Sequence, residues 1–180
     1  MIDFRPITEA DVAQLQEWLR REHVARWWHD EDATTYLAQA HEHFLILVDG
    51  RPVGMMQTYL VSDYPEWEEV VGPGEGLAGV DLFIGEDGLI GRGLGTQALA
   101  QFARDIVFAR PETRACIATV EEENRRSWRA FEKAGFRHVR DVEEDGLPHR
   151  LMRLDRARTA TTRRSTGARA GGARSRSRRA

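Results

Sequence analysis

Six residues, Gly91-Arg92-Gly93-Leu94-Gly95-Thr96, have the composition and spacing of an anion cradle. They follow the alternating apolar run Leu77–Ile84 and open an amphipathic run from Gln97 to Phe108, so they read as strand, glycine loop, helix. Consecutive backbone N–H groups at a helix N-terminus bind anions, helped by a dipole of about half a charge. Glycines let the backbone approach the anion closely. A phosphate-bearing ligand is the implied occupant. Two common phosphate loops are excluded. A Walker loop needs Gly-Lys-Ser/Thr, and the only lysine is Lys133. A dinucleotide fingerprint needs a third glycine three residues after the second, where Thr96-Gln97-Ala98 has none.

A second set of residues could handle a cation. Asp81 lies inside the strand just before the glycine loop. A carboxylate there is costly without a partner, so it is either a structural group bonded to backbone or a working acid or base. The stretch Asp63-Tyr64-Pro65-Glu66-Trp67-Glu68-Glu69 interleaves acids with aromatics and reads as a loop, either a solvated acidic surface or part of a site. His41 and His43 have no further ligand spacing, and no metal site is expected. Cys116 stands alone in an apolar strand and reads as inert core.

Charge is unevenly distributed. From Arg156 to Ala180 there are nine arginines and no acid. Without those nine, 17 Lys+Arg face 29 Asp+Glu, a net of −12 over residues 1–155. An acidic body steers cationic small molecules inward and repels nucleic acid. No apolar run approaches the roughly 18 residues of a membrane span, and the N-terminus lacks signal-peptide character. A cytoplasmic enzyme, monomer or homodimer, with no nucleic-acid or membrane partner for its folded part, fits this balance. The expected organisation is one domain over 1–158 and a disordered arginine-rich tail over 159–180.

The elements that would hold these residues follow in order. Ile2–Ile7 is a strand. Thr8 and Asp11 form a capping box for a helix to about Leu19. Helical segments follow at His23–Trp28 and from about Glu31 to Ala40, with His29-Asp30-Glu31 read as a helix start. Strands at Phe44–Val48 and Arg51–Leu60 flank the turn Asp49-Gly50. After the loop at 62–76 come the strand at 78–84, the glycine loop, and a helix at 96–109. A strand at Arg114–Val120 leads to a helix at Arg125–Ala134, closed by Gly135. Strands at 136–142 and 149–155 flank Asp145-Gly146. The order is mixed α/β.

The glycine loop, followed about 30 residues later by Asn124-Arg125-Arg126-Ser127-Trp128-Arg129-Ala130-Phe131-Glu132-Lys133-Ala134-Gly135-Phe136, resembles the two cofactor motifs of the GNAT acetyltransferases. The element order is also that of this family. The resemblance implies a mixed central sheet whose two parallel strands splay apart, flanked by helices. It implies acetyl-CoA as co-substrate and no metal. The pyrophosphate would sit on Gly91, Arg92, Gly93, Leu94, Gly95 and Thr96. The pantetheine arm would lie along the strand at Phe83 and Ile84 and against Asn124.

Further pieces resemble aminoglycoside 6'-N-acetyltransferases, and also lysine acetyltransferases of siderophore pathways. They are His23-Val24, Trp27-Trp28, Pro52–Tyr59, Trp67-Glu68-Glu69, Pro73-Gly74 and Gly79-Val80-Asp81. This implies a cationic small-molecule amine as acceptor, most simply an aminoglycoside 6'-amine, and hence a link to antibiotic resistance. Asp81 would be the base. Trp28, Gln57, Tyr59, Glu66, Trp67, Glu69 and Asp81 would line the acceptor pocket. A lysine or hydroxylysine side chain, a protein N-terminus, or a degenerate domain that only senses coenzyme A remain as alternatives. The chain departs from the pattern at three positions. Gly72 and Thr119 replace aspartates, and Phe131 replaces the tyrosine invoked as general acid, which phenylalanine cannot be.

Overall fold

A computed structural model describes residues 1–28, 32–39 and 41–157. The expected helix start at 29–31 and the tail at 159–180 lie outside the described residues. Seven strands form one sheet: β1 (Ile2–Pro6), β2 (Glu42–Val48), β3 (Arg51–Leu60), β4 (Leu77–Ile84), β5 (Ala115–Glu121), β6 (Arg137–Glu144) and β7 (Leu147–Asp155). Their order across the sheet is β1-β2-β3-β4-β5-β7-β6, and every neighbouring pair is antiparallel except β4–β5. The Asp49-Gly50 and Asp145-Gly146 turns join β2 to β3 and β6 to β7 with positive φ at both residues of each. That is the backbone a two-residue hairpin requires.

The two faces of the sheet carry different layers. The helices are α1 (Val12–Leu19), α2 (Glu22–Trp28), α3 (Ala33–Leu37), α4 (Pro65–Val71), α5 (Leu94–Asp105) and α6 (Arg125–Lys133). Side chains alternate along a strand. On β4 the even residues Ala78 and Val80 join Ala98, Leu99 and Phe102 of α5 and Phe131 of α6 in one core. The odd residue Phe83 joins Leu15 and Trp18 of α1 and Val24 of α2 in another. Phe102 is fully buried, with Phe4 and Phe44 edge-on at 5.1 and 5.3 Å. Burying one such ring contributes about 1.5–3 kcal/mol.

Three local expectations change. The stretch 65–71 is helix α4 rather than loop. Pro65 at its first position lacks the N–H that a helix start leaves unpaired, and Glu66 and Glu68 in the first turn complement the dipole. The third helix is short, Ala33–Leu37. Helix α5 starts at Leu94, because Gly93 takes the left-handed conformation at its N-cap and turns the chain directly into the helix. The capping box is present: Asp11 accepts from the Thr8 N–H and hydroxyl, both at 2.8 Å, and also holds Arg5 through two bonds.

Candidate active site

Strands β4 and β5 pair through only Leu77↔Ala115, Ala78↔Cys116 and Gly79↔Ile117, then part. Beyond Gly79 the β5 side of β4 has no strand partner. The antiparallel alternation with β3 decides which backbone groups face this gap. The Gly85 N–H bonds to the Val53 carbonyl, so Phe83↔Met55 and Gln57↔Asp81 are the hydrogen-bonded pairs. The Val80 carbonyl and the N–H and C=O groups of Leu82 and Ile84 therefore turn to the gap, while the Val80 N–H closes the last rung with Ile117. This corrects the expectation for Phe83, whose backbone is engaged with β3 and whose ring lies edge-on to Trp18 and Trp28 in the core. The Ile84 carbonyl is bonded by His23 Nε2 at 2.9 Å, which leaves its N–H. Leu82, absent from the sequence reading, faces the gap and lies beside Gly95 at the start of α5.

The gap opens into a cleft of about 730 Å³ that passes through the sheet. On the α5/α6 side it is lined by Leu82, Val120, Asn124, Ser127 and Phe131. Asn124 caps α6 by accepting from the Ser127 N–H at 3.1 Å, which leaves its amide protons free of the cap. The loop Gly91–Thr96 stands at the head of α5. The N–H groups of Leu94, Gly95 and Thr96 have no carbonyl one turn back within the helix. Gly93 holds φ +80, which a side chain would strain. These groups fit a diphosphate joined to an extended amide-bearing arm: three convergent donors, then an unpaired strand edge.

On the other side the lining includes Trp28, His41, Gln57, Tyr59, Trp67, Asp81, Thr119 and His149, with further carboxylates at Glu121, Glu144 and Asp145. Asp81 accepts from Gln57 Nε2 at 2.8 Å, and the Gln57 oxygen meets His41 Nδ1 at 3.0 Å. The amide nitrogen faces a carboxylate, so the oxygen must accept, which puts the His41 proton on Nδ1. Burial lowers the His41 pKa, and burial followed by His41 itself lowers that of His43 to about 4. The His41 ring stacks on Tyr59 at 4.5 Å. Burial first, then Asp81 and Glu144, push the Tyr59 hydroxyl well above its ordinary pKa, so it stays protonated. A Cβ at Gly79 would overlap the Tyr59 ring, so glycine there is what lets the ring lie on β4.

Several sequence expectations meet here and others do not. Trp28, Gln57, Tyr59, Trp67, Asp81 and Asn124 come together around one cleft. Glu66 and Glu69 do not line it. They are exposed on α4, whose turn sends Tyr64, Trp67 and Val71 inward instead. Glu68 is used internally, accepting from the Gly74 N–H at 2.7 Å. Cys116 is buried, and its thiol pKa is raised by burial and then by Asp81. Glu144 was missed, because it reaches the cleft from β6 across β7. Among the described residues no group of His, Cys, Asp or Glu is set to hold a metal, and no helix is long and apolar enough to cross a membrane.

A parallel strand pair that splays beside a glycine-headed helix, opening a cleft through the sheet, defines an acetyltransferase of the GNAT type. The family model described as "Acetyltransferase (GNAT) domain" matches residues 8–144, and the chain belongs to that family. The chain is 31% identical over 178 residues to aminoglycoside N(6')-acetyltransferase type 1 of Serratia marcescens, covering 91% of this chain and 87% of that protein. It is 32% identical over 150 residues to a protein of the same name from Klebsiella pneumoniae, with 75% and 73% covered. The solved structure of aminoglycoside acetyltransferase AAC(6')-Ib with coenzyme A and kanamycin superposes with a TM-score of 0.78 at 28% identity, covering 87% of this chain and 95% of that one.

Proposed function

We propose that this protein transfers the acetyl group of acetyl-CoA directly to the 6'-amine of an aminoglycoside. The observation that carries the reading is the cleft through the sheet, with an anion cradle and unpaired strand edge on one side and a carboxylate, Asp81, at the opening on the other. The names and bound ligands of the relatives support it.

Leu94, Gly95 and Thr96 would hold the diphosphate, with Val80, Leu82 and Ile84 offering strand-edge groups to the pantetheine amides. The thioester carbonyl carbon supplies the electrophile. An alkyl ammonium of pKa about 10.4 must lose a proton before it can attack. Asp81 collects the cation and takes that proton, and Gln57 fixes the orientation of its carboxylate. The amine forms the C–N bond as the C–S bond breaks, and the electron pair leaves on sulfur. Phe131 has no proton to give, so the thiolate departs to solvent. A thiol pKa near 8.5 makes that a competent leaving group. Acetyl-CoA is an intracellular metabolite, which suits work in the cytoplasm.

The test mixes purified protein, acetyl-CoA and kanamycin, follows free thiol, and locates the acetyl group by mass spectrometry. Thiol release with the label on the 6' nitrogen is expected. Turnover of lysine derivatives with none on any aminoglycoside would move the acceptor to the siderophore class. Tight coenzyme A binding without turnover of any amine would leave a sensor.

A further inference from the structure

Asp81 and Thr119 each lie two residues beyond the last parallel pair, Gly79↔Ile117, on the same face of their strands, and both line the cleft. Across the opening from the Asp81 carboxylate stands a hydroxyl. That hydroxyl donates to Glu144 Oε2 at 2.7 Å. Glu144 ends β6, one residue before the Asp145-Gly146 turn, and pairs with Leu147. Its side chain crosses β7 to reach β5, and it lines the cleft.

The surroundings leave this carboxylate largely unspent. One hydrogen bond occupies one of its roughly four lone-pair positions. Among the described residues no Lys or Arg lies within ion-pair distance of it. His149 Nε2 is 3.8 Å away, beyond hydrogen-bond range but within ion-pair distance for a protonated ring. His149 Nδ1 lies 3.0 Å from the Leu147 carbonyl. A carbonyl only accepts, so His149 Nδ1 carries a proton there. Asp81 and Glu144 line the same cleft as the buried Tyr59 ring.

We infer that Glu144, held by Thr119, is the second cation-binding group of the acceptor site, gripping another ammonium of a polyamine acceptor on the lip opposite Asp81. This rests on the aminoglycoside reading above. Glu144 would then determine specificity for acceptors with several amines. It takes no part in bond making, so it acts on acceptor KM rather than on kcat.

The experiment compares full-length protein with Glu144→Gln, which keeps an oxygen for Thr119 and loses the charge, and with Thr119→Val, which releases the side chain. Kanamycin is the polycationic probe and 6-amino-6-deoxyglucose the single-amine probe. For Glu144→Gln the kanamycin KM should rise about ten-fold, less at high salt because the interaction is screened. The kcat, the KM for acetyl-CoA and the KM for the single-amine sugar should stay within two-fold. Thr119→Val should raise the kanamycin KM by about three-fold. An unchanged kanamycin KM in Glu144→Gln overturns the inference. So does an equal rise for the single-amine sugar, or a parallel fall in all parameters with a lower Tm, which would make Thr119–Glu144 only a hairpin clamp. Calorimetric titration of kanamycin without donor separates this from the reading it rests on. Wild-type turnover with unchanged variant affinity sinks Glu144 alone. Absence of wild-type kanamycin binding sinks both.

Discussion

Replacing Asp81 by asparagine removes one negative charge from the opening of the cleft and changes little else. The side chain keeps its shape, and an amide oxygen can still accept from Gln57 Nε2, now at 2.8 Å from the carboxylate. Gln57 is only 5% exposed, so its orientation is fixed by packing as well as by that bond. The loss therefore falls on the acceptor. A carboxylate about 4 Å from an ammonium is worth roughly 4 kcal/mol at an effective dielectric near 20. A positioned base contributes about 10²–10⁴-fold to rate. These are two views of one group and do not add, so kcat/KM for kanamycin should fall about 10³-fold, near 4 kcal/mol. The donor groups lie on the other side of the sheet, so coenzyme A affinity by calorimetry and the Tm should hold. Thiol release under steady state reads the rate. A kcat/KM within five-fold of wild type would refute Asp81 as the base, and an equal loss of coenzyme A affinity would refute the division of the cleft into donor and acceptor sides.

Gly93→Ala forces a side chain onto φ +80 with nothing nearer than Gln97 Nε2 at 3.9 Å, so its cost is conformational, about 1–2 kcal/mol. Titration should show weaker acetyl-CoA binding, with kanamycin KM unchanged. Gly79→Ala drives a Cβ into the Tyr59 ring, and overpacking of this kind costs about 1–3 kcal/mol in urea unfolding. Kanamycin KM should rise in the same variant, because Tyr59 lines the acceptor side. The Arg5 guanidinium holds the Asp11 carboxyl well below the usual range against the opposing desolvation by burial, with the Thr8 N–H and hydroxyl adding to the lowering. A carboxyl with a depressed folded pKa stabilises above its unfolded value of about 3.9, and that contribution is lost as pH falls below it. Asp11→Asn should lower stability by about 1–3 kcal/mol at pH 7, and melts should show the gap to wild type closing below about pH 4.

The parts of the fold that were legible are those whose cause is local. Asp49-Gly50 and Asp145-Gly146 each specify their own turn, and Thr8 with Asp11 caps its own helix start. Helix α4 was written in the sequence too, by Pro65 ahead of Glu66 and Glu68, but the Pro and Gly residues around it read as loop. The acceptor residues were legible unevenly. Asp81 and Gln57 are neighbours by strand register, and both were named from the sequence. Glu66 and Glu69 were grouped with Trp67 by proximity in the chain, and the helical period then turned them to solvent.

By itself the sequence determined the anion cradle, the glycine loop at 91–96 with Asn124 downstream, which the proposed function gives to the donor. An anion cradle is made of consecutive backbone groups, and its ingredients lie side by side in the chain. It also determined the acidic character of the body, since charge is a property of composition. Tertiary structure decided the rest. Only the pairing of β4 with β3 reveals that Leu82 rather than Phe83 faces the gap, because an antiparallel ladder spends alternate residues. Only the splay of β4 from β5 turns a sheet into a passage. Only the crossing of β7 brings Glu144 to Thr119, opposite Asp81, because residues 25 apart meet through strand order and no local pattern records that order.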